Sequence, residues 1–108
     1  SLNEKYYGSQ MSCDETIAYE WARIPHFYNA FYVYKYATGF SAAVQIAGDV
    51  LQGKNIEEYK KFLTTGGSDY PLNELKIAGV NLVEGGPVEA CMVAFENTLA
   101  EFEKAFSN

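Results

Sequence analysis

One histidine and a run of tyrosines are the residues of this 108-residue chain best suited to chemistry. His26 is the only imidazole; Tyr28, Tyr32 and Tyr36 follow at intervals of four, with Tyr34 between them. On a continuous helix Tyr28, Tyr32 and Tyr36 lie on one side and Tyr34 points elsewhere, so the spacing predicts a row of three phenols along one face. Each phenol is a neutral hydrogen-bond donor near pH 7, which suits stabilisation of a developing oxyanion. Plainer readings stand beside these. A lone histidine, with no second one for a metal site and no Ser or Cys set around it as a triad, also serves as a helix cap or core hydrogen-bonder. Amphipathic tyrosines also line boundaries between helices and water, and spacing alone leaves both readings open.

The elements that must position these groups all read as helical. Ile24 to Ala47 is apolar or aromatic on nearly every side, which predicts a long central helix surrounded by others. Pro25 suits its first turn, Leu51 its end and Gly53 the left-handed residue that closes it. Before it, Ser12 or Asp14 caps a helix carrying Ile17, Trp21 and Ile24, which stops ahead of Pro25. Ser1 to Gln10 reads as extended or loosely packed. After it, Asn55 opens a short amphipathic helix that Gly66-Gly67 ends, and Pro71 opens another that Gly79 ends. Pro87 begins a last helix whose Val88, Met92, Phe95, Leu99, Phe102 and Phe106 recur at intervals of three and four and read as a buried stripe. No β-alternation of useful length appears. The expected fold is therefore all-α, a bundle of about four to five helices around the aromatic one, in a single domain spanning residues 1–108.

Composition narrows the function classes. Fourteen acidic residues against eight basic ones give a net charge of -6, which argues against nucleic acid, since phosphate binding needs clustered Lys and Arg. The longest apolar run is interrupted by Tyr, Asn, Lys, Gln and Asp, which argues against a membrane span. Two distant cysteines, Cys13 and Cys91, read as reduced core thiols. A cytoplasmic location is expected, and a chain opening on Ser1 reads as a piece of something longer.

Several motifs carry a resemblance. Arg23-Ile24-Pro25-His26-Phe27-Tyr28, then Phe31-Tyr32-Val33-Tyr34-Lys35-Tyr36-Ala37-Thr38-Gly39, resembles the C-terminal part of the oligoendopeptidase F family, bacterial zinc peptidases akin to thimet oligopeptidase. Gly66-Gly67-Ser68-Asp69-Tyr70-Pro71, Leu75 to Val80 and Phe95 to Glu103 extend it over most of the chain. The resemblance implies a helical metallopeptidase that cuts oligopeptides in a deep channel. It implies a Zn2+ held by an H-E-x-x-H helix and a further glutamate, with the motif's own Glu as general base. This chain has no such motif, so the resemblance places the zinc ligands in a catalytic segment upstream of Ser1. It also implies that His26 and Tyr28 bind substrate, and that Tyr32 and Tyr34 polarise the scissile carbonyl. Two registers are possible for the tyrosines, one favouring Tyr28 and Tyr32, the other Tyr34; Tyr36 reads as structural.

Two other readings follow from the same residues. One is a free-standing helical module that binds peptides or proteins without hydrolysing them. The other is a homodimer formed through an aromatic face left bare by an absent segment.

Overall fold

The computed structural model describes residues 2–107, and among them every regular element is helical. Contacts divide the chain into two compact units, residues 1–34 and 35–108.

The first unit is built mainly of short turns. Leu2–Tyr7 forms a helix, α1, with no buried residues, where an extended or loosely packed segment was expected. Asp14 then caps a 3-10 helix over Glu15–Arg23, its carboxylate accepting from the Thr16 backbone N–H at 2.8 Å and the Thr16 hydroxyl at 2.6 Å. The expected start and stop of this segment hold, since Ile24 is already extended ahead of Pro25. A second 3-10 turn, Pro25–Tyr28, follows with Pro25 at its first position.

Here the expected long central helix is corrected. The chain leaves the helical conformation after Tyr28, Asn29 is extended and Phe31 takes φ 60°. That left-handed backbone cannot continue a right-handed helix. Phe27, Tyr28, Phe31, Tyr32 and Val33 crowd aromatic and β-branched side chains into one stretch, each losing χ1 freedom against a preceding helical turn. The α-helix, α2, begins only at Tyr34 and runs to Leu51. Tyr28, Tyr32 and Tyr36 therefore do not share a helix face, and the predicted phenol row is not formed.

In the second unit, α2 ends as the sequence predicts. Gly53 takes φ 73°, the Gly53 N–H reaches the Val50 carbonyl at 3.0 Å and the Lys54 N–H reaches Asp49 at 2.8 Å. This is a Schellman ending, which satisfies carbonyls the last turn would otherwise leave unpaired. Ile56–Thr65 (α3) and Pro71–Ile77 (α4) pack on each other. The second of these ends in the same motif, with Gly79 at φ 79° and the Val80 N–H bonded to Leu75 at 3.0 Å. A 3-10 turn over Leu82–Glu84 precedes the last helix, α5, Gly86–Phe106, with Pro87 in its first turn.

The core is small. Ser41, Ala42, Ala78, Val80, Pro87 and Cys91 are its buried members, and the Gln45 amide ties α2 to the Gly79 carbonyl at 3.2 Å. The expected buried stripe of α5 is instead open: Met92 is 53% exposed and Phe95 63%. Its spacing of three and four is helical as read, but a stripe is buried only where another element covers it, and among the described residues of this unit none covers it.

Candidate functional site

The chemistry-bearing residues gather in the turns between Asp14 and Tyr34. Each turn leans on the one before. The Ile24 N–H bonds to the Trp21 carbonyl at 3.1 Å, Phe27 N–H to Ile24 at 3.2 Å, Asn29 N–H to His26 at 3.4 Å and Tyr32 N–H to Asn29 at 3.3 Å. Such a ladder of three-residue steps folds the backbone tightly enough to return Tyr32 to His26. Their ring centroids lie 5.6 Å apart, tilted by 31°, within the range of favourable ring contacts. Of the four sequence-predicted site residues, His26 and Tyr32 are thus brought together.

Tyr28 is held differently. Its hydroxyl donates to the Ala22 carbonyl at 2.7 Å, and its ring lies 6.3 Å from Trp21. A phenol oxygen that donates one hydrogen bond keeps lone pairs free to accept another, so Tyr28 can still receive a peptide N–H. Tyr34 opens α2 with an exposed side chain, and the ammonium of Lys35 sits 5.3 Å from the ring of Tyr36.

Charge around these turns is local. Arg23 donates through Nε to the Glu20 carboxylate at 2.7 Å and also contacts it through Nη2. That hydrogen bond lowers the Glu20 carboxyl from its ordinary value and raises the Arg23 guanidinium. The Thr16 hydroxyl and N–H likewise lower Asp14. All three groups lie in solvent, so these pairs orient side chains more than they stabilise the fold.

No group of three or more His, Cys, Asp or Glu side chains among the described residues is placed to hold a metal ion. A zinc site needs at least three protein ligands, and a solitary exposed histidine does not fit one. What the arrangement can do is present an imidazole and phenols as hydrogen-bonding groups on an aromatic surface.

Sequence reasoning missed the partnership of Trp21 with Tyr28 and the left-handed turn at Phe31. The first joins residues seven apart across a break and has no periodic signature. The second was signalled only by the density of poor helix formers from Phe27 to Val33.

The family model described as Peptidase family M3 matches residues 1–93. The chain belongs to peptidase family M3. Among the M3 relatives it matches, Oligopeptidase PepF of Bacillus subtilis is 47% identical over 95% of this chain and 16% of its own length. Group B oligopeptidase PepB of Streptococcus agalactiae is 46% identical over 94% of this chain and 17% of its own. An oligoendopeptidase F homolog of Borreliella burgdorferi is 44% identical over 98% of this chain and 18% of its own. The chain thus spans about one sixth of the length of these M3 relatives. No solved structure matches it significantly. Among the described residues no helix is long and apolar enough to cross a membrane.

Proposed function

We propose that this chain is the C-terminal, substrate-channel portion of a zinc-dependent oligoendopeptidase that hydrolyses short peptides in the cytoplasm, and that it is not catalytic alone. The observation that carries the reading is the pairing of His26 with Tyr32 in a chain of family M3. The ring contact keeps the imidazole and the phenol side by side. A peptide in the channel takes its hydrogen bonds from such groups. His26 and Tyr28 hold the substrate backbone, while Tyr32 and Tyr34 donate to the scissile carbonyl oxygen as it gains negative charge.

Zinc, which the M3 family uses to activate water and polarise carbonyls, is bound by the upstream catalytic segment in this reading. The residues of this chain contribute binding, orientation and hydrogen-bond donation, worth roughly 100-fold or more in rate where a donor meets a developing oxyanion.

The test is to add zinc to the isolated chain with a quenched oligopeptide and a His26→Ala control. Hydrolysis at the background rate in both is the expected result. An enzyme-like rate in the unsubstituted chain alone contradicts the reading. Tight, salt-insensitive peptide binding that vanishes in Tyr32→Phe and Tyr34→Phe would instead establish a binding module.

A further inference from the structure

The second unit carries an apolar groove of about 580 Å³ that the peptide chemistry of His26 and the tyrosines does not use. Its walls are one face of α2 and one face of α5, with Phe40, Val44, Val88, Cys91, Met92 and Phe95 prominent in them. The two threonine hydroxyls in the wall are engaged by their own helices, Thr38 donating to the Lys35 carbonyl at 3.1 Å and Thr98 to Ala94 at 2.9 Å. The groove thus presents almost nothing that could orient a polar ligand. Small-molecule sites of this size, roughly 300–1,000 Å³, add a few convergent polar groups to their apolar lining.

We infer that this groove is the seat of an apolar helix supplied by the remaining part of a family M3 peptidase polypeptide. The inference rests on the reading of the chain as a portion of such an enzyme. Three observations select the occupant. First, the matched relatives are about six times as long as the stretch they share with this chain, so ample polypeptide exists to cover it. Second, a wall this apolar, with little beyond the Ser41 hydroxyl and the Cys91 thiol to offer a polar group, admits a segment that satisfies its own backbone, and a helix does so where a strand or loop does not. The wall residues Val88, Cys91, Met92 and Phe95 recur at helical spacing, which forms the ridges another helix packs between. Third, a second copy is disfavoured by charge. The chain is net -6, so a second copy would set one acidic surface against another.

The test places Met92→Glu and Phe95→Glu in two settings. One is the isolated chain; the other is a full-length chimera in which this chain replaces the 105 matched residues of the Bacillus subtilis relative. Both side chains are exposed in the isolated chain, so its helical content and melting midpoint should not change. In the chimera each substitution should lower the midpoint by at least about 3 °C and speed limited proteolysis, because a charge enters a covered apolar seam. The same substitutions at the aligned positions of the relative itself give the same readout should the chimera not fold. An unchanged midpoint in the full-length proteins overturns the inference. So does a stable dimer of the isolated chain that either substitution dissolves, because the occupant is then a second copy. Stability, not hydrolysis, is read here, so a failed peptidase assignment and a failed groove assignment are told apart.

Discussion

The rings of His26 and Tyr32 stack at a centroid distance of 5.6 Å although no helix joins them. They are carried by separate turns, a 3-10 turn over Pro25–Tyr28 and the left-handed bend at Phe31. The bend is therefore part of the site's construction. A continuous helix would have aligned Tyr32 with Tyr28 and Tyr36, whereas the observed backbone returns it to the imidazole.

Phe31 holds an unfavourable conformation for the sake of that return. Its φ of 60° costs a non-glycine residue about 1–2 kcal/mol, and at 89% exposure its side chain recovers little by packing. Replacing it with glycine removes this strain but adds roughly 0.5–1 kcal/mol of unfolded-state entropy. Phe31→Gly is thus expected to be neutral or stabilising by roughly 0.5 kcal/mol in urea denaturation, whereas Phe31→Val should destabilise.

The two Schellman glycines separate backbone strain from contact. Gly53 and Gly79 share the left-handed conformation, but a Cβ at Gly53 meets open space while one at Gly79 falls 2.8 Å from the Asn55 amide nitrogen. That amide is held by Asp49 at 3.1 Å, so it does not yield freely. Gly53→Ala should cost about 1 kcal/mol and Gly79→Ala about 2 kcal/mol or more, measured side by side by chemical denaturation.

The helical architecture was legible because it rests on local signals. Asp14 as cap, the stop before Pro25, Gly53 and Gly79 as closing residues and Pro87 in the first turn of α5 each act within a few residues, and each appears where read. Two features were not legible. The stretch from Phe27 to Val33 is apolar enough for a buried helix, but its crowded side chains resist one, and tertiary context decides the outcome. The stripe of α5 is helical in period, yet period does not say whether a partner is present to bury it. For the site, the resemblance nominated His26 and Tyr32 separately, and no spacing signalled the ring contact that joins them; the helical-face argument for the phenol row failed with the helix it assumed.

The Asp14 cap should make the turn over Glu15–Arg23 sensitive to acid. Hydrogen bonds from the Thr16 hydroxyl and N–H lower the carboxyl in the folded chain. A lowered folded value means the stabilisation is present above the ordinary aspartate range and is lost as pH falls through it toward the folded value. Amide exchange across residues 15–23 should therefore accelerate as pH falls below about 4, after correction for the intrinsic pH dependence of exchange. Asp14→Asn, which keeps an acceptor but no titrating charge, should flatten that added dependence.

The Tyr28 hydroxyl is tied to the backbone of its own unit. Tyr28→Phe removes the 2.7 Å bond to the Ala22 carbonyl and should lower stability by about 0.5–1.5 kcal/mol. In a full-length chimera it should raise KM for oligopeptides more than it lowers kcat, if the group serves the proposed role in substrate binding. Thermal melts and steady-state kinetics on one preparation separate the two effects.

The central claim is that this segment supplies the hydrogen bonds that polarise the scissile carbonyl in a larger zinc peptidase. Steady-state hydrolysis of a quenched oligopeptide by the full-length chimera, with and without Tyr32→Phe, tests it most directly. The ring and its stacking on His26 survive that substitution, so only the hydroxyl is lost. The account predicts a fall in kcat of about 100-fold with the fold intact. A Tyr32→Phe chimera that turns over peptide at the unsubstituted rate would contradict it.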